Sequence, residues 1–180
     1  MSQWKINSKK TVFRTELFNV KEIKFKNNTG KIKIHHEAER VPIVTVFPLT
    51  DSYEIYLISQ YRHMLDKTVL EAVAGHVDKG ETTIAAARRE LKEETGIEAL
   101  QFEEIARVQT SASVFKSPVN LFLAKGLEMG DNDLDEFEEI ALVKMPLSEA
   151  VEKVMSGEIN HLASMTGILL LDKLRKEKKL

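Results

Sequence analysis

The stretch GHVDKGETTIAAARRELKEETGI, residues 75–97, constrains this chain more than any other part of it, because it gathers Glu81, Glu90, Glu93 and Glu94 on one loop and one short periodic segment. Thr82 or Thr83 is an N-cap for a helix over 84–95, and Gly96 suits the left-handed residue that ends it. At helical periodicity Ile84, Ala87 and Leu91 share a face and are expected to bury. Glu90, Glu93 and Glu94 then crowd the adjacent face, while Arg88 and Lys92 point elsewhere. Arg89 is placed to pair with Glu93 one turn on, and Glu81 can fold back from the loop.

Like charges at this spacing repel, by about 0.2–0.5 kcal/mol for each exposed pair. Arg89 offsets part of that, and a divalent cation would offset the rest. An all-carboxylate donor set without sulfur suits a hard ion, Mg²⁺ or Mn²⁺, which characteristically shares its shell with substrate phosphates and water.

Written as G-x5-E-x7-R-E-U-x-E-E-x-G-U, with U aliphatic, the pattern is carried by Gly75, Glu81, Arg89, Glu90, Leu91, Glu93, Glu94, Gly96 and Ile97. A chance match in one window is about one in 10⁹ at ordinary residue frequencies. The stretch resembles the Nudix box of the Nudix hydrolases at every defining position. The resemblance implies an α+β Nudix fold, an α/β/α sandwich around a mixed sheet, and hydrolysis of a nucleoside diphosphate linked to another moiety by metal-activated water. It also implies roles. Glu90 and Glu94 are the principal metal ligands, joined by the backbone carbonyl of Ala74. Glu93 is a further ligand or a base that orients water, Glu81 reaches the metal directly or through water, and Arg89 holds the glutamates in place.

The flanks point to a substrate class. Ser59-Gln-Tyr-Arg-His and Glu71-Ala-Val-Ala-Gly resemble the Q-Y-R and E-x-P-A-G segments of ADP-ribose pyrophosphatases and related nucleoside diphosphate sugar hydrolases. That likeness makes Arg62 and Glu71 substrate contacts, and a guanidinium suits bidentate binding of phosphate. Glu71 lies in an apolar run, so its carboxylate needs a partner. Two departures stand out. Val73 replaces the usual proline, and residues 111–117 lack the Ser-Pro-Gly turn and the acid that follows it. The acidic run over 130–139 holds Asp133, Asp135 and Glu136 as candidate bases, with Glu136 favoured. The implied reaction converts ADP-ribose to AMP and ribose 5-phosphate. Alternatives are another substrate such as GDP-mannose, a dinucleotide polyphosphate or NADH, or a nucleotide-sensing module that does not cut.

Elsewhere the chain alternates. Residues 11–21 and 22–26 read as period-2 strands, and Asn27-Asn-Thr-Gly30 as a hairpin turn before a third. This leader, residues 1–40, has too few large apolar residues to stand alone, and by resemblance it is a dimerisation sheet of a homodimer, with 41–180 the Nudix domain. Residues 1–36 are also basic, with Lys5, Lys9, Lys10, Arg14, Lys21, Lys24, Lys26, Lys31 and Lys33 against Glu16 and Glu22, read as solvated strand faces. Strands are expected over 41–48, 54–59, 68–74, 102–110, 119–124 and 139–145, and helices over 147–155 and 161–176.

A net charge of −2 gives no general attraction to nucleic acid or anionic membrane. There is no cysteine, which excludes disulfides, zinc thiolates and thiol catalysis and suits a reducing cytoplasm. The first ten residues show no secretory h-region, and the apolar run 168–171 is too short to span a bilayer. The five histidines show no ligand spacing for zinc.

Overall fold

Asn27 closes the first sharp turn with its own side chain. Its Oδ1 accepts from the backbone N–H groups of Thr29 (3.1 Å) and Lys31 (2.8 Å), and Gly30 takes φ +85°. The computed structural model describes residues 4–134 and 139–180. Around that turn lie β1 (Trp4–Arg14), β2 (Phe18–Asn27) and β3 (Ile32–Arg40), antiparallel in that order. The strand expected over 11–21 is in fact broken. Thr15 turns the chain, its N–H donating to the Phe18 carbonyl (2.9 Å) and its hydroxyl oxygen accepting from the Phe18 N–H (3.0 Å). A hydroxyl that satisfies local backbone groups outcompetes the ladder, which an alternation pattern alone does not reveal.

The remaining strands are β4 (Ile43–Pro48), β5 (Glu54–Arg62), β6 (Lys67–Glu71), β7 (Val73–His76), β8 (Ile97–Gln109), β9 (Phe115–Lys116), β10 (Pro118–Met129) and β11 (Ile140–Pro146). The helices are α1 (Thr83–Thr95), α2 (Leu147–Met155) and α3 (Leu162–Lys176). Two compact units result: the described residues of Met1–Pro42 with Gln109–Pro118, and those of Ile43–Val108 with Val119–Leu180. In the first unit the short β9 pairs parallel with β3. Ile23 and Ala38 are its buried apolar residues, while Trp4, Phe13, Ile32 and Ile34 stay exposed. Its lysines are partly balanced within the unit, Lys9 by Glu37 (2.8 Å), and Lys21 and Lys116 by Glu39.

The second unit has two sheets, ordered β7-β4-β10-β8 and β11-β5-β6. β4 runs parallel to β10 and antiparallel to β7. Strict alternation sends side chains to two cores. Phe47, Leu49, Ile55, Leu57, Val119, Leu121 and Leu123 pack with α2 and α3, whereas Val44, Val46, Ile58, Phe122 and Ala124 pack with α1. Helices therefore cover opposite faces of the mixed sheet, and the class is α+β. No helix of the described residues is long and apolar enough to cross a membrane.

The run expected as one strand over 68–74 is two strands. β6 and β7 belong to different sheets and part at Ala72. Ile84, expected in the core, is 41% exposed, and Ala86 is buried beside Ala87 and Leu91 instead.

Asp172 on α3 is a buried carboxylate bound by Lys176 (2.6 Å) and Arg175 (2.8 Å). The Lys176 ammonium, helped by Arg175 and opposed by burial, holds its carboxyl below the usual range. A depressed carboxylate stabilises the fold above its unfolded pKa and stops doing so as acid protonates it. Asp172→Asn is therefore expected to cost about 1–2 kcal/mol at pH 7. In urea titrations that difference should vanish as the pH falls below about 4.

Candidate active site

β7 brings Ala74 opposite Thr45 and Gly75 opposite Val44, against the face covered by α1. A Cβ at 75 would lie 1.9–2.2 Å from the Glu90 carboxylate atoms, so any side chain there would push that carboxylate aside. The helix is framed as its sequence specifies: Thr82 Oγ1 accepts the Ala85 N–H (3.2 Å), and Gly96 at φ 70° returns its N–H to the Lys92 carbonyl (2.8 Å). Arg88 leaves the acidic face, stacking 4.4 Å over the Phe102 ring and donating to the Ala99 carbonyl.

Arg89 is the hub. Its Nη1 donates to Glu90 Oε1 (2.8 Å) and Glu93 Oε2 (2.9 Å), its Nε to Glu81 Oε1 (3.1 Å), and its Nη2 to Glu81 Oε2 (3.2 Å) and the His76 carbonyl (2.9 Å). One guanidinium thus gathers three carboxylates and the end of β7, more than the single Glu93 pair that helical spacing suggests. Glu81 foremost, then Glu90 and Glu93, raise the Arg89 pKa against the opposing effect of burial. Arg89 in turn lowers that of Glu81, whose Oε2 also accepts the Asp78 N–H. Glu94 is buried at 5% exposure, while the Glu93 side chain is 40% exposed.

These groups line a cavity of about 520 Å³, a size suited to a small organic ligand. Glu90, Glu93, Glu94, Asp78 and Asp133 face it, against Arg62 and Arg89. Gln60, Ala74, Gly75, His76 and Leu134 complete the wall. The structure thus brings together Ala74, Arg89, Glu90, Glu93, Glu94 and Arg62 around the cavity, and Glu81, which does not line it, is tied to them through Arg89. Glu71 does not line the cavity. It is 3% exposed, accepts a hydrogen bond from Arg62 Nε (2.6 Å) and forms an ion pair with Nη2 (2.5 Å), so the partner its burial demanded is Arg62 itself. Asp133 reaches the wall, its N–H donating to the Glu93 carbonyl (2.9 Å). Asp135 and Glu136 lie outside the described residues. Gln60 and Asp78 were not singled out beforehand. Gln60 was legible, since alternation puts it on the same face of β5 as Arg62, whereas Asp78 carried no local signal.

Oxygen donors in excess over cationic side chains fit a hard divalent cation, and still more so when the ligand is itself a polyanion. Among the described residues no three acidic or histidine side chains already converge on one point. Arg89 holds one oxygen each of Glu90 and Glu93, and both of Glu81.

Comparison with known proteins agrees with this geometry. The NUDIX domain family matches residues 39–163. The methanol dehydrogenase activator of Bacillus methanolicus is 30% identical over 162 residues, covering 86% of this chain and 88% of that protein. The ADP-ribose pyrophosphatase of Bacillus subtilis (strain 168) is 30% identical over 159 residues, covering 83% and 85%. A crystal structure of an ADP compounds hydrolase superposes with a TM-score of 0.86 at 24% identity, over 100% of this chain and 98% of that one, which is a likeness of fold. With a family match over most of its length and relatives at 30% identity along nearly all of it, the chain belongs to the NUDIX domain family.

Proposed function

We propose that this chain hydrolyses the diphosphate of a nucleoside diphosphate sugar, ADP-ribose first, to AMP and ribose 5-phosphate. It is an enzyme acting on acid anhydrides. The observation that carries the substrate reading is the cavity that sets the guanidinium of Arg62 across from the glutamates of α1. The name of the Bacillus subtilis relative supports ADP-ribose in particular.

Glu90 and Glu94, with Glu93, Glu81 and the carbonyl oxygen of Ala74, are the residues that would hold Mg²⁺ or Mn²⁺. When bound, the cation supplies Lewis acidity to the phosphate oxygens and eases deprotonation of water. The rest is done by the chain. Arg62, held by Glu71, orients a phosphate through charge-assisted hydrogen bonds. Arg89 keeps Glu81, Glu90 and Glu93 in one array. Glu93, the more exposed of the helix carboxylates, takes the proton of the attacking water, and Glu136 is the second candidate for that role. Charge that builds on the leaving phosphate is met by groups already in place, so little reorganisation is needed during the reaction.

The test is a substrate panel at about pH 8, chosen to keep carboxylates ionised, with Mg²⁺ and products identified by mass. AMP and ribose 5-phosphate from ADP-ribose, well ahead of GDP-mannose, NADH and dinucleotide polyphosphates, is the expected outcome. A different preferred substrate would move specificity to the altered segment 111–117. Nucleotide binding without turnover would favour a sensor.

The exposed Trp4, Phe13, Ile32 and Ile34 of the N-terminal sheet support a homodimer, with 1–40 as its dimerisation segment and 41–180 as the catalytic domain. Light scattering should give twice the chain mass, and a monomer at micromolar concentration would overturn that. The cysteine-free composition supports a cytoplasmic location.

A further inference from the structure

His161 and Ser164 lie in the C-terminal segment 156–164, and their residue types alone give them no role. Both stand at the start of α3, behind the wall of the cavity rather than in it. Ser164 is fully buried, and its Oγ accepts the N–H of Ala72 at 2.9 Å. Ala72 is the residue at which the chain leaves β6 and its sheet to begin β7 in the other. A backbone N–H at such a break has no ladder partner of its own, so the serine supplies one. Two residues on, Ala74, Gly75 and His76 line the cavity. The serine hydroxyl has one proton to give, and among the described residues the acceptor within reach is His161 Nδ1, 2.9 Å away. In the tautomer whose Nδ1 accepts that proton, the imidazole proton sits on Nε2 and the ring is neutral. Burial, reinforced by the charge of Arg62 and opposed by that of Glu71, lowers the His161 pKa in the same direction.

The same ring nitrogen also faces Glu71. Nδ1 is 3.6 Å from Glu71 Oε2, while Oε1 of the same carboxylate takes the hydrogen bond from Arg62 Nε and pairs with its Nη2. The imidazole therefore closes the face of Glu71 turned away from Arg62. A carboxylate shielded on that side has one strong partner left to satisfy it, and it fixes that partner in return.

We propose that His161 and Ser164 are positioning residues for substrate binding: Ser164 anchors the strand break at Ala72, and His161 walls in the Glu71 carboxylate that aims Arg62 into the cavity. The proposal rests on the reading of Arg62 as a phosphate-binding group. Neither residue touches the cavity, so neither is catalytic. Both act through Glu71 and the β6–β7 break.

The test has two arms. With ADP-ribose and Mg²⁺, His161→Ala and Ser164→Ala should each raise KM about tenfold with kcat within about twofold, the loss expected when one charge-assisted contact is loosened. Ser164→Thr, which keeps the hydroxyl, should restore KM. In the second arm, nitrogen-15 NMR of the protein alone should find the His161 ring protonated on Nε2 only. It should also find a slowly exchanging Arg62 Nε–H that becomes fast in His161→Ala. Unchanged KM in folded variants, or an Arg62 Nε–H indifferent to His161→Ala, would overturn the proposal. If the wild-type chain does not hydrolyse ADP-ribose, the substrate reading has failed. The NMR arm, which needs no substrate, then decides the positioning role by itself.

Discussion

Glu93→Gln is expected to lower turnover of the preferred substrate by about 10²–10⁴-fold, the usual worth of a positioned base. The fold should survive. The Glu93 side chain is 40% exposed, and its structural contact is the hydrogen bond that Oε2 accepts from Arg89 Nη1 at 2.9 Å. A glutamine carbonyl oxygen can accept the same bond. The amide cannot take a proton from water, and it binds a hard cation less well than a carboxylate does. Steady-state kinetics beside a thermal melt separate the effects: a large drop in kcat with an unchanged melting temperature is the expected pair. Wild-type activity in this variant would remove Glu93 from the mechanism and shift attention to Glu136 and Asp133.

The second large effect is on stability. Gly167 lies on the buried face of α3, where a Cβ would come within 2.0–2.6 Å of the Phe47 ring. Phe47 is fully buried among Leu49, Leu121 and Leu171, so the ring has nowhere to go. Gly→Ala within a helix normally gains up to about 1 kcal/mol from backbone entropy and propensity. Here overpacking should reverse the sign, and Gly167→Ala is expected to destabilise by about 3 kcal/mol. For a chain of this size that lowers the melting temperature by about 6–12 °C. Phe47→Leu, which shortens the opposing side chain, should recover part of the loss when combined with it. A Gly167→Ala protein as stable as wild type would show that α3 can shift on β4 without cost.

The local grammar of the catalytic helix was legible in one dimension. Thr82 as N-cap, Gly96 as the left-handed terminator and the clustering of Glu90, Glu93 and Glu94 follow from spacing and side-chain chemistry, because helix geometry is set by near neighbours. The strands over 41–48, 54–59 and 119–124 were legible as short apolar runs, and their burial on two faces came from the fold. Ile84 and Ala86 show where this stops. Ile84 shares its stripe with Ala87 and Leu91 yet is exposed, while Ala86, on the other side of that stripe, is buried: the tertiary neighbours decide which apolar residue is covered.

What the tertiary structure alone decided are relations between residues far apart in the chain. That Arg89 binds three carboxylates and the His76 carbonyl depends on β7 ending beside the helix. That Glu71 turns from the cavity to grip Arg62 depends on the β5–β6 pairing, in which the two strands run antiparallel. That a serine ninety-two residues downstream caps the break at Ala72 depends on where α3 docks. Periodicity reports which way a side chain points from its own backbone. It carries no record of what another segment will bring to meet it, because long-range contacts are chosen by the packing of whole elements and by the need to satisfy each buried polar group. The charge and the helix were in the sequence, and the partners that tune them came from the fold.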